Sequence, residues 1–152
     1  MLEKDQAAHD FTLNNQNGEN ITLSSLIGKS VVLYFYPKDD TPGCTLEGKD
    51  FSALKNQFEQ KNAIVFGISK DSVDSHAAFC GKYKYTIDLL SDPDMKVIAP
   101  YGVWQEKKNY GKTYMGIVRS TYLISTEGTI QKIWENVKVE GHAQAVLDSI
   151  NG

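Results

Sequence analysis

Six consecutive strand-forming residues, Val31 to Tyr36, run into Pro37, and the polar loop that follows delivers Cys44 to the start of a helical pattern. An unbroken apolar, β-branched and aromatic run is expected of a strand covered on both faces, so this segment belongs inside a sheet. Pro37 and Pro42 fix φ and stiffen the loop, while Gly43 permits close backbone approach. From Cys44 to about Gln60, Phe51, Leu54 and Phe58 recur at helical spacing among charged residues. A thiol in the first turn of a helix faces unpaired N–H groups and the positive end of the dipole, which favour the reactive thiolate. The usual fate of a free cysteine is to pack in a core. A Pro/Gly/Asp/Thr loop is a poor place for that, and Cys44 reads as a reactive residue.

The rest of the chain alternates strand and helix. Phe11 and Leu13, then Ile21 and Leu23, flank Asn17-Gly18, a dipeptide that tolerates positive φ and predicts an N-terminal β-hairpin. Ala63 to Ser69 reads as a second buried strand. Asp71 or Ser72 can cap a helix running to about Tyr85, with Val73, Ala77 and Cys80 along one side. Asp88 to Pro93 reads as a short strand and turn, followed by a helix around Asp94 to Ala99. Thr121 to Ser125 and Thr129 to Trp134 flank Glu127-Gly128, a second hairpin, and a last helix covers His142 to Ile150. Helix-length connections imply parallel strands and the hairpins add antiparallel ones. The expectation is an α/β fold: a central mixed β-sheet flanked by helices, in one domain spanning residues 1–152.

Composition excludes several classes of function. A net charge of −3 without a dense Lys/Arg cluster gives no nucleic-acid footprint; Lys107-Lys108 is only a pair. No apolar run approaches the roughly 18–20 residues that cross a bilayer, and Met1 to Asp5 lacks an apolar signal segment. Two cysteines do not make a disulfide scaffold. A soluble protein of a reducing, cytoplasmic compartment is expected, where a disulfide is more often catalytic than structural. Neither a Gly-rich phosphate loop nor a Ser/His/Asp arrangement is present. Cys44 is followed by Thr45-Leu46-Glu47 without a second cysteine, so the dithiol Cys-x-x-Cys signature is missing as well.

Pro37-x-x-x-Thr41-x-x-Cys44 resembles the active-site signature of peroxiredoxins, and the string PKDDTPGCTLEGKDF resembles their bacterioferritin comigratory, or Q-type, branch. Asp10-Phe11-Thr12-Leu13, Leu89-Leu90-Ser91-Asp92 and Arg119-Ser120-Thr121-Tyr122-Leu123-Ile124 match that branch in order and spacing, so the resemblance covers essentially the whole chain. It implies a thioredoxin-like fold and a thiol-dependent peroxidase that reduces hydrogen peroxide and small organic hydroperoxides without metal, haem or flavin. Cys44 becomes the peroxidatic cysteine, oxidised to a sulfenic acid. Thr41, Arg119 and loop N–H groups would hold the peroxide and stabilise charge moving onto the leaving oxygen. Pro37 would shield the sulfur from bulk water. Thiolate fraction alone is a small gain, because nucleophilicity falls with pKa. Glu47, an acid in the first helical turn, suits the dipole regardless of catalysis and stays outside the catalytic set.

Many members of the branch carry a resolving cysteine five positions after the peroxidatic one, where this chain has Lys49. Others carry it in the following helix, and Cys80 resembles that arrangement. The resemblance thus implies an intramolecular Cys44–Cys80 disulfide, reduced by thioredoxin or a similar dithiol protein, in a monomer or weak homodimer. Other readings stay open: a one-cysteine peroxidase with Cys80 as a packing residue, a peroxide sensor or holdase, and a binding module without activity. His76 and Cys80 stand at i, i+4, but without a paired ligand motif this spacing reads as coincidence rather than a zinc site.

Overall fold

The computed structural model describes residues 2–150; Met1, Asn151 and Gly152 lie outside the described residues. Its centre is β3 (Ser30–Phe35), every residue of which is buried. Val31, Leu33 and Phe35 enter one apolar cluster and Val32 and Tyr34 the other, joined by Tyr36 just past the strand. That is the period-2 alternation of a strand with two covered faces. β3 pairs in parallel with β4 (Ala63–Ser69) and antiparallel with β8 (Ser120–Ile124). β5 (Asp88–Ser91) extends the parallel side, and β9 (Ile130–Trp134) closes the other edge. The hairpin of β1 (Thr12–Asn14) and β2 (Asn20–Thr22) joins through β1 to β5, giving a seven-stranded mixed sheet in the order β2-β1-β5-β4-β3-β8-β9.

All four α-helices among the described residues contribute to the cluster on the Val32 face: Phe51 from α1 (Pro42–Ala53), Phe58 from α2 (Lys55–Gln60), Phe79 from α3 (Val73–Tyr83), and Val146 with Leu147 from α4 (His142–Asp148). The opposite face is covered by the 3₁₀ turn Leu23–Leu26 and by Val97, Ile98, Tyr101 and Val103.

Three local expectations are corrected, and one unexpected element is added. The helix expected over Cys44–Gln60 starts at Pro42 and breaks at Leu54 (φ −97°, ψ 3°) into α1 and α2. No helix forms over Asp94–Ala99. Met95 takes a left-handed φ of 57°, which ends a right-handed helix, and the buried Asp92 carboxylate instead accepts the N–H groups of Lys96, Val97 and Ile98 at 2.8–2.9 Å. On α3 the buried residues are His76 and Phe79, whereas Ala77 is exposed, so the helix is rotated relative to the expected apolar side. A further hairpin, β6 (Trp104–Asn109) with β7 (Lys112–Ile117), turns at Tyr110-Gly111, both at positive φ. Its strands are mostly polar and carry no alternation, leaving the turn dipeptide as the one sequence signal.

Candidate active site

The sheet register assembles the site at the end of β3. Phe35, the last residue of β3, pairs with Ser120, the first of β8, so Arg119 lies at the edge where β3 releases its chain. The loop from Pro37 then turns into α1 with Pro42 in its first turn, where a missing N–H costs nothing. Cys44 is the third residue of α1 and is 2 % exposed. The first helical amide to find its acceptor is that of Thr45, bonded to the Thr41 carbonyl at 2.8 Å. Those of Gly43 and Cys44 meet no acceptor among the described residues, which leaves two first-turn donors uncommitted.

Arg119 occupies the junction between β7 and β8 and not a strand, with its side chain largely buried. Nη2 donates toward Cys44 Sγ at 3.4 Å, and Nη1 donates to Glu47 Oε1 at 2.7 Å. Gly43 makes room for this reach, since a Cβ there would stand 3.1 Å from Nη2. Burial opposes the guanidinium charge, but the fields of Glu47 and Cys44 and the two hydrogen bonds outweigh it and hold Arg119 above the ordinary arginine range.

Glu47 is the residue that sequence reasoning set aside. Only 1 % of it is exposed, and its Oε2 meets no hydrogen-bond donor among the described residues. Burial pushes its carboxyl up to about 7, against the pull of Arg119. Its spacing three residues after Cys44 was visible; that the same turn of helix is buried was not. His142, at the start of α4, accepts from or donates to Thr121 Oγ1 at 2.8 Å, and burial together with Arg119 presses it down to about 4, leaving it neutral near pH 7.

Thr41 caps α1 in an extended conformation, yet its hydroxyl donates to the Lys38 carbonyl at 2.9 Å and not to the sulfur. What Thr41 offers the site is therefore its oxygen lone pairs, where a donor had been expected. Pro37 is half-buried two residues after the end of β3. Cys80 is half-buried on α3, and both cysteines are free thiols. Burial, then the Asp39 and Asp88 carboxylates, push Cys80 up to about 12, so it rests as a thiol. The structure thus brings Cys44 and Arg119 into contact, adds Glu47, and leaves Cys80 on a separate helix. Tyr85, just past α3, donates to the Thr45 carbonyl at 2.7 Å, and its ring fills the space where a Cβ on Gly48 would lie.

A cysteine under an arginine at the start of a helix, on a thioredoxin-like mixed sheet, defines a thiol peroxidase. The chain belongs to the AhpC/TSA family, whose profile matches residues 5–133. Within that family it falls with the bacterioferritin comigratory, or peroxiredoxin Q, proteins. It is 51 % identical over 149 residues to the bcp peroxiredoxin of Helicobacter pylori J99, covering 98 % of both chains. A Cys-to-Ser variant of Xylella fastidiosa PrxQ superposes with a TM-score of 0.93 at 41 % identity, covering 97 % of this chain and 94 % of that one. The bacterioferritin comigratory protein of Xanthomonas campestris, studied for its alkyl peroxide reduction activity, gives a TM-score of 0.88 at 44 % identity, covering 92 % and 89 %. Among the described residues no helix is long and apolar enough to cross a membrane.

Proposed function

We propose that the peroxidase reaction runs through Cys44 as nucleophile. The thiolate attacks one peroxide oxygen, the O–O bond breaks, and the leaving oxygen takes a proton to depart as water or an alcohol. Cys44 is left as a sulfenic acid. The observation that carries this reading is the Arg119 guanidinium at 3.4 Å from Sγ, together with the uncommitted first-turn amides of Gly43 and Cys44. Donors fixed where negative charge develops stabilise the transition state without reorganisation. Thr41, with its proton committed to Lys38, accepts the O–H of the peroxide, and Pro37 limits access of water. A cleft beside Arg119, lined also by Gln105, Glu106, Lys107, Val118, Asn136 and Val137, offers space for the rest of a small hydroperoxide.

In the second half-reaction the Cys80 thiol condenses with the sulfenic acid, releasing water and forming a Cys44–Cys80 disulfide. Thioredoxin or a similar dithiol protein then reduces it by exchange. A disulfide needs Cα atoms within about 7 Å and converging Cβ vectors. Cys44 opens α1 and Cys80 lies late in α3, across Tyr85, so the first turns of α1, the end of α3, or both unwind to allow the bond. We place the whole chain, as one domain, in the cytoplasm as a monomer or weak homodimer.

The test is peroxide consumption by wild type, Cys44→Ser and Cys80→Ser with thioredoxin and its reductase, and peptide mapping of the oxidised protein. Cys44→Ser should lose turnover, because a serine hydroxyl is not appreciably ionised near pH 7. Cys80→Ser should keep one round of peroxide reduction and lose thioredoxin-linked recycling. Substantial turnover by Cys44→Ser, or a free Cys80 beside an oxidised Cys44 in wild type, would overturn the corresponding half.

A further inference from the structure

The loop that precedes Cys44 is held by a buried polar network that the reaction as described does not use. Asp39, in the middle of that loop, is 8 % exposed, and His76 on α3 is 0 % exposed. His76 Nδ1 lies 2.7 Å from Asp39 Oδ2, which also accepts from Ser75 Oγ at 2.8 Å. The other carboxylate oxygen accepts from Tyr36 Oη at 2.6 Å, and the Asp39 amide donates to Asp71 Oδ2 at 2.9 Å. On its far side, His76 Nε2 is 3.0 Å from the Leu90 carbonyl, which can only accept. Both ring nitrogens thus face acceptors, one on the active-site loop and one on β5.

Asp39, Asp71 and His76 bring ligand atoms within 4.8 Å of one another, as a metal site would. Those atoms, however, are already committed to each other and to Ser69, Ser75, Tyr36 and Leu90. Hydrogen bonds within the protein thus already occupy both Asp39 oxygens, both His76 nitrogens and Asp71 Oδ2.

What the network joins is informative. Asp39 belongs to the segment that presents Pro37, Thr41 and Cys44, while His76 stands one helical turn before Cys80 on α3. The geometry points to His76 as a positioning residue: its bond to Asp39 holds the active-site loop in the form that meets peroxide, and unwinding α3 to deliver Cys80 breaks that bond and frees the loop. This rests on the proposed resolving role of Cys80. Asp40 adds outer ties to the same helix, accepting from Lys82 Nζ at 2.8 Å and Tyr83 Oη at 2.6 Å. These are solvent-exposed, so the buried Asp39–His76 contact is the stronger one.

Two fates of the sulfenic acid then compete. In the held state it stays exposed to a second peroxide, whose oxygen converts it to sulfinic acid with loss of water. In the released state it meets the Cys80 thiol, and water leaves as the disulfide forms. The Asp39–His76 contact sets the balance between them.

The experiment follows single turnovers with hydrogen peroxide. It records the rate of Cys44 oxidation, the rate of disulfide formation and the fraction of sulfinic acid at rising peroxide. Variants are His76→Phe, which keeps an aromatic ring but removes both hydrogen bonds, and Asp39→Asn, whose amide can still donate to Nδ1 of a neutral imidazole. For His76→Phe we expect Cys44 oxidation to slow, disulfide formation to accelerate, and the ratio of sulfinic acid to disulfide to fall about tenfold, the scale of one buried hydrogen bond. Asp39→Asn should lie close to wild type. If His76→Phe does not fold, Ser75→Ala, which removes one donor to Asp39, should shift the ratio the same way by about threefold. A lower stability with an unchanged ratio would make His76 merely structural and overturn the proposal. Failure of wild type itself to form the Cys44–Cys80 disulfide would instead remove the reading on which it rests.

Discussion

Arg119 binds Glu47 and Cys44 with separate nitrogens, Nη1 at 2.7 Å from Oε1 and Nη2 at 3.4 Å from Sγ. One guanidinium thereby connects a buried carboxylate to the candidate nucleophile, and Glu47 sets where the cation can point. The two side chains lie 72 residues apart and meet because β8 pairs with β3 in a register that ends beside α1.

Arg119→Lys should fail to replace this bridge. An ammonium is a point donor and lacks the planar fork that serves two partners in fixed directions. Peroxide attack should slow by roughly 10²-fold, the usual cost of losing one transition-state donor. Thiolate absorbance measured alongside provides the check: a rate loss that merely follows the thiolate fraction would refute a transition-state role.

Glu47 should give the protein a characteristic pH dependence. Its carboxyl titrates near 7 in the fold against an ordinary 4.5, with burial the main cause. Between those values the folded protein holds a proton that the unfolded chain has released. The contribution is therefore full below pH 4.5 and is lost as pH rises through 7, by at most about 3 kcal/mol. His142 slopes the other way, since its folded value near 4 lies below the ordinary 6.5, so its contribution is lost as pH falls from 6.5 toward 4. Wild-type curves blend the two. Subtracting the urea-unfolding free energies of Glu47→Gln from those of wild type across this range isolates the Glu47 slope, and a flat difference would refute it.

Gly43→Ala should separate activity from stability. The added Cβ would stand 3.1 Å from Arg119 Nη2, tighter than ordinary contact, so the guanidinium must give way by a few tenths of an ångström. Alanine is at least as good a helix former, so thermal stability should hold. Peroxide attack should slow by roughly tenfold, as small misplacements at reacting centres do. An unchanged rate would show that the fork tolerates the shift.

Gly48 of α1 and Gly81 of α3 should respond oppositely to alanine. At Gly81 a Cβ meets nothing within 4 Å, so Gly81→Ala should stabilise α3 by up to about 1 kcal/mol. If α3 unwinds to deliver Cys80, disulfide formation should slow by up to about fivefold. At Gly48 a Cβ would collide with the Tyr85 ring, so Gly48→Ala should destabilise the protein by about 1–3 kcal/mol and release Tyr85 from Thr45. Thermal unfolding and stopped-flow resolution rates distinguish the two.

Much of the framework around the site is local and could be read in one dimension. Val31–Tyr36 stops at Pro37 because proline cannot continue a central strand, and Pro42 starts α1 because a first-turn residue needs no N–H. Gly18 and Gly128 mark both expected hairpins through positive φ. By contrast, β6 and β7 are extended through mutual pairing and not through an apolar pattern, and Met95 interrupts an expected helix through a backbone angle that its side chain does not announce.

By itself, the sequence determined the strand, the rigid loop and the helix that present Cys44, because φ restriction and side-chain periodicity act between neighbours along the chain. Only the tertiary structure decided that Glu47 is buried against Arg119 and that Asp39 is clasped by His76. An acid at the start of a helix and a histidine in the middle of another carry the same local signals whether they face water or the core. Their solvation and their charged partners come from segments 72 and 37 residues away, brought beside them only when the sheet closes and excludes water.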